Sequence, residues 1–290
     1  MINAVVNAAG TWMWNNRTHG ELKWTTIETE HFNIHYHQNL DKIALQGASI
    51  AEQIRPTLMK QMGLESLPTL DIIFTAEDEV LNGFAVPANY TIIWVDQNDA
   101  ALWTGDEKWL RTVLAHELQH LVYFNTVKGP WWLPEPMNSL VHGTPAWIVE
   151  GIAEYFTEEW RPFRYELSHR YHVLRNTVHK IQDPHNDGYS KSLYLADRFG
   201  DSTISKILNH RNKLKLFDFK ESFKKHTGIT LKQFNEDWRR QMNTFYFSQR
   251  SQKERLEDSG VIRKLPIKSC LLYTSPSPRD LSTYRMPSSA

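Results

Sequence analysis

The sequence predicts an α+β fold: a mixed αβ front part with a small sheet over residues 25–105, then an all-helical part over residues 106–248. Three observations predict it. Short β-branched and aromatic segments, "HFNIHYH", "TLDIIFTA" and "YTIIWVD", occur only before residue 97. From residue 106 onward apolar residues recur at helical spacing. No internal repeat is evident.

The first strand, residues 31–37, alternates strictly. Phe32, Ile34 and Tyr36 fall on one face, and His31, Asn33, His35 and His37 on the other, which is expected to be solvated. Residues 40–63 follow with helical spacing through Ile43, Ala44, Ala48, Ile50, Ala51 and Ile54. Pro56 is expected to bend or interrupt that helix, and Gly63 to end it. Residues 69–76 and 90–96 are two further strands, with "NGFAVPAN" between them as a loop. Asp106 can cap a helix running through "EKWLRTVLAHELQHLVYF". The long break "NTVKGPWWLPEPMNSLVHG" carries three prolines and two glycines. Its Trp131 and Trp132 suit a surface loop anchored by two buried indoles, ahead of the alternative of a lid or substrate wall. Thr144 and Pro145 then open the helix "PAWIVEGIAEYFTEEW". More helices are expected near 163–178, 189–199, 202–210, 217–226 and 230–248. Residues 1–24 form an N-terminal extension and 249–269 a charged linker.

Composition narrows the function. The 290 residues are 41% hydrophobic, enough for one large domain or two small ones. Lys+Arg and Asp+Glu both number 33, so no basic excess points to nucleic acid. No apolar run approaches the roughly 18 residues that span a bilayer, and the N-terminus lacks the basic and apolar regions of a cleavable leader. The one cysteine, Cys270, permits neither an intrachain disulfide nor a cysteine metal cluster. From Cys270 the tail "CLLYTSPSPRDLSTYRMPSSA" resembles translated sequencing-adapter DNA. Residues 270–290 are therefore expected to be non-native, and the natural protein to continue beyond Lys268.

The chemistry concentrates in "LAHELQHLVYF". His116 and His120 stand four apart on a helix, so both imidazoles can aim at one cation. Glu117 sits beside them, close enough to reach a water on that cation without ligating it, which is the mechanical content of H-E-x-x-H. A catalytic zinc needs a third protein ligand and one open position. The candidates are Glu150, on the second helix, then His142 and Glu135 in the break, in that order. Glu154, one turn past Glu150, can accept a hydrogen bond from the other nitrogen of a ligating histidine, His116 above all.

H-E-x-x-H followed by "WIVEGIAEYF" resembles the gluzincin zinc metallopeptidases, and within them the peptidase-MA-like domains that can precede a β-propeller. The resemblance covers about residues 25–248. It implies a zinc cleft between the αβ and helical parts, with His116, His120 and Glu150 as zinc ligands and Glu117 as general base. Many gluzincins place an oxyanion-binding tyrosine in a Y-x-K-G context; "GYSKSLYLADRFG" makes Tyr189 the matching residue, with Ser192 where the glycine would be. The alternative is a tyrosine packing on the core. The G-x-M-E-N amino-terminus reader of gluzincin aminopeptidases is missing; "NGFAVPAN" stands in its region and offers Gly83, Phe84 and Ala85 as substrate contacts. An endopeptidase is thus expected more than an aminopeptidase. Its partner is a peptide or protein substrate, which the strand at 90–96 would hold as a sheet edge. The rival from another class is a catalytically weak, zinc-stabilised binding module attached to a lost C-terminal propeller. Relatives are often exported, so a periplasmic or extracellular location with the leader missing is expected.

Overall fold

The computed structural model describes residues 21–76, 82–95, 106–130, 132, 143–157, 163–178 and 183–252. Five strands lie among them: β1 (Trp24–Glu28), β2 (Phe32–His37), β3 (Leu70–Thr75), β4 (Asn82–Val86) and β5 (Tyr90–Trp94). The helices are α1 (Asp41–Met62), α2 (Asp106–Thr126), α3 (Ala146–Thr157), α4 (Phe163–Leu174), α5 (Pro184–Phe199), α6 (Ser202–Asn209), α7 (Phe219–Thr227) and α8 (Leu231–Ser251). The protein is therefore of mixed α+β class, with its strands ahead of α2 and helices only from there on among the described residues. No helix among them is long and apolar enough to cross a membrane.

The sheet order is β1-β2-β3-β5-β4. β2, β3 and β5 are parallel, with α1 as the crossover from β2 to β3. β1 and β4 pair antiparallel on the two outer flanks, Trp24 opposite His37 and Asn82 opposite Trp94. Two of these strands were not expected from the sequence, and the second overturns an expected loop. β1 falls mostly where the αβ part begins, and β4 occupies what was expected to be loop. Neither "WTTIE" nor "NGFAV" alternates cleanly; each is a strand because a neighbour supplies the other half of its ladder. The edge beside α2 is consequently β4, whereas β5 is interior to the sheet.

The histidine face of β2 is also buried, not solvated. His35 spans β1 and β3, with Nδ1 2.9 Å from Thr26 Oγ1 and Nε2 3.3 Å from Asp71 Oδ1. His37 Nε2 accepts from the Ala76 amide at 3.0 Å, so its Nδ1 donates to the Gln38 carbonyl at 3.1 Å. Sandwiching by paired strands, which alternation alone cannot show, makes these histidines structural.

One sheet face, built from Phe32, Ile34, Ile72, Phe74 and Ile93, packs with Ala44, Ala48 and Ala51 of α1 and Leu110, Leu114, Leu118 and Leu121 of α2. Each such leucine contributes about 1.5–3 kcal/mol by leaving water. That burial explains Pro56: α1 runs through it to Met62, because Leu58 and Met62 beyond the proline are buried and offset the lost helical bond. Gly63 ends the helix with φ 70°.

The helical part turns on one close approach. Gly151 of α3 and Gly188 of α5 meet backbone to backbone: a Cβ on Gly151 would lie 2.3 Å from the Gly188 carbonyl oxygen, and one on Gly188 2.3 Å from the Trp147 oxygen. No side chain stands between them that could rotate away. Further out, α4 and α8 close a smaller core of Val173, Val178, Trp238, Met242 and Tyr246. The chain forms two compact units, one ending at Phe247 and one from Ser248 onward, of which the end of α8 is described.

His169 is fully buried and donates Nδ1–H to the Tyr165 carbonyl at 2.9 Å. Burial first, and then the charge of Lys191, pushes its pKa down to about 4.

This packing can be tested at two positions. Gly188→Ala is expected to lose more than the roughly 1–3 kcal/mol typical of overpacking, read from the urea midpoint, because the obstructing atoms are main chain. His169 binds its proton less readily folded than unfolded, so its contribution is complete above pH 6.5 and declines as pH falls towards 4. By pH 5 the loss is about 2 kcal/mol at most. Urea unfolding of wild type and His169→Gln at pH 7.5 and pH 5 tests this; equal losses in both proteins would assign the decline to other groups.

Candidate metal centre

α2 presents His116, Glu117 and His120 from a helix whose opposite face, Leu110, Leu114, Leu121 and Val122, is locked in the core. The imidazoles converge as their i, i+4 spacing requires: His116 Nε2 and His120 Nε2 are 3.1 Å apart. From α3, Glu150 Oε2 comes within 3.5 Å of His116 Nε2 and 3.3 Å of His120 Nε2. These three groups form a cluster able to hold a metal ion. Glu150 Oε2 is buried with no hydrogen bond that meets standard geometry among the described residues. Glu135 and His142, the other candidate ligands, lie outside the described residues, as does Trp131. Trp132 is 55% exposed, so it is not a buried anchor.

The electrostatics follow from crowding three carboxylates and three imidazoles together. Burial alone would raise the Glu150 pKa, but the His116 and His120 imidazoles, 3.5 and 3.3 Å from Oε2, outweigh it and hold the carboxyl far below the usual range. Burial alone would lower that of His116; Glu150, Glu117 and Glu154 reverse this and raise it. Glu117 goes the other way from Glu150, because desolvation raises its pKa against the nearby histidines.

β4 lies directly on Glu117. A Cβ at Gly83 would stand 2.4 Å from Glu117 Cγ, and the Ala85 amide donates to the Glu117 carboxylate. Phe84, between them, points to the other sheet face and packs with Ile73, Ile92 and Trp94. Of the three candidate substrate contacts, Gly83 and Ala85 therefore belong beside the cluster, and Phe84 is on the far side of the sheet.

Glu154 is 1% exposed, with Oε1 3.9 Å from His116 Nδ1 and 2.9 Å from His185 Nδ1. His185 is the residue that the sequence expectation missed. It rises from the first turn of α5, where the Asp183 carboxylate accepts from the amides of His185 and Asn186 at 3.1 and 3.4 Å. Its ring stacks on that of His116 with centroids 5.8 Å apart, and its Nδ1 is 3.4 Å from Glu150 Oε2. No known family model matches this chain, and neither does any curated protein.

The signal for His185 was in the sequence: Asp183-Pro184 is a helix cap followed by proline in the first turn, so α5 begins five residues before the expected 189. Tyr189, one turn further along α5, has 0% exposure, and its ring lies 5.6 Å from that of Tyr165. In this arrangement its hydroxyl has no open surface, in keeping with the core-packing alternative.

Glu150→Ala is expected to abolish tight metal binding, and Glu154→Gln to weaken it about 10–100-fold. Metal content after dialysis against graded chelator measures both; unchanged binding in Glu150→Ala would reassign the third ligand.

Proposed function

We propose that this protein is a zinc-dependent peptidase that hydrolyses internal peptide bonds. The observation that carries this reading is the size of the cage. Zinc bonded tetrahedrally at about 2.1 Å separates its ligand atoms by about 3.4 Å. His116 Nε2, His120 Nε2 and Glu150 Oε2 are separated by 3.1, 3.3 and 3.5 Å. A two-imidazole, one-carboxylate set that leaves a fourth position is also the donor chemistry of catalytic rather than structural zinc. When bound there, zinc would polarise a scissile carbonyl and bring the pKa of a water towards neutrality.

The chain's own groups supply the rest. Glu117, whose pKa is raised by burial, takes the proton of the attacking water and later gives it to the leaving amine. Gly83 leaves room for that carboxylate, and the Ala85 amide steers it. Glu154 orients the His116 ring. β4 offers an edge along which an extended substrate can pair through its main chain. Neither Gly83, Phe84 nor Ala85 carries a carboxylate to hold a substrate amino terminus, which favours an endopeptidase. The side chain that α5 brings to the carboxylate pair is His185, 46% exposed; with Nδ1–H donating to Glu154, its imidazolium form has Nε2–H to donate to a developing oxyanion.

Four substitutions test the reading on a casein digest with zinc content measured alongside. Glu117→Gln should lower turnover by about 10²–10⁴-fold with zinc retained; an active variant removes the base. Gly83→Ala should also cut kcat while keeping zinc, because the new methyl displaces the Glu117 side chain. His185→Gln should reduce kcat more than Tyr189→Phe; the reverse order returns the oxyanion role to Tyr189.

A further inference from the structure

His116 faces two ways. Its Nε2 looks into the cage with His120 and Glu150, while its Nδ1 looks at Glu154 Oε1, which is also 2.9 Å from His185 Nδ1. We infer that His116, Glu154 and His185 form a second, weaker position for a divalent cation such as zinc, and that filling it inhibits the enzyme. This rests on the reading of the first cage as the resident metal site.

Three features of the second cage point to a ligand. One imidazole, one carboxylate and a second imidazole converge with ligand atoms within 4.8 Å of one another. The Glu154 carboxyl group is 1% exposed, so a cation there meets an oxygen donor already stripped of water. His185 is 46% exposed on its side chain, which gives an entry path from solvent that the deeper carboxylate lacks.

Four features make it the weaker of the two. Its edges from Glu154 are uneven, 2.9 Å to His185 and 3.9 Å to His116, against 3.1–3.5 Å in the first cage. A cation here must displace the hydrogen bond between His185 and Glu154. With both positions filled, His116 bridges as an imidazolate, so its remaining ring proton leaves to solvent and adds to the cost. Two cations this close also repel. Inhibition follows because the cation draws Glu154 away from orienting His116 and re-aims the His185 ring that Glu154 holds.

The two cages share His116 but not His120 or His185, so two substitutions separate them. Zinc uptake by the wild type, followed by equilibrium dialysis and metal analysis from nanomolar to millimolar zinc, should show a tight and a weak equivalent. His185→Ala should lose the weak one only, and His120→Ala should lose the tight one. Calorimetry in buffers of different ionisation enthalpy should show the weak equivalent releasing an additional proton. Retention of the tight ion by His185→Ala doubles as the check that the variant is folded. A weak equivalent that persists in His185→Ala is adventitious binding and overturns the inference, as does a wild type that takes up one ion at every zinc concentration. Absence of a tight ion from the wild type overturns the peptidase reading itself, which is a different result.

Discussion

The site depends on a place where two helices touch without side chains. At Gly151 and Gly188 the backbones of α3 and α5 are close enough that a methyl on either would collide with a carbonyl oxygen. Everything chemical on these helices is placed relative to that contact. Glu150 precedes Gly151 by one residue, Glu154 follows it by three, and His185 precedes Gly188 by three. A wider crossing would carry His185 away from both glutamates, since the hydrogen bond between His185 and Glu154 tolerates little added separation. The cost of two glycines inside helices, about 1 kcal/mol each relative to alanine, is offset by the packing that the close approach allows.

A second constraint sets the chemistry of Glu117. Its carboxylate is buried between α2 and β4, and desolvation raises its pKa, whereas Glu150, with Oε2 3.5 and 3.3 Å from the His116 and His120 rings, is driven the other way. On the proposed peptidase reading, two glutamates near the same pair of imidazoles would thereby be sorted into a base and a ligand. The sorting is done by β4: Gly83 admits the Glu117 side chain and Ala85 holds it. On the same proposed reading, the edge strand that would receive an extended chain also shapes the base that would act on it, which would tie substrate docking to proton transfer in one element.

Much of this was legible in the sequence. The i, i+4 pair, the flanking glutamate and the amphipathic helix beneath them are local properties of a regular helix, and the structure has them where spacing puts them. The long helices and the three interior strands also come through, with α1 close to its expected bounds and continuous through Pro56 because packing overrode the proline. What was missed shares one cause. β1 and β4 are strands by pairing rather than by pattern, and the buried histidines of β2 are hidden by neighbours from other parts of the chain. His185 was overlooked because the start of α5 was placed too late.

By itself the sequence determined the pair of imidazoles and their neighbouring carboxylate, because helical geometry fixes side-chain direction within a single turn. It also determined that Glu150 and Glu154 share a helix face. Only the tertiary structure decided that this face meets His116, that His185 joins it, and that β4 rather than β5 borders the site. Those are relations between segments about 30 to 70 residues apart in the chain. They are set by which backbones can approach and which strand ladders close, and no periodicity within one segment carries that information.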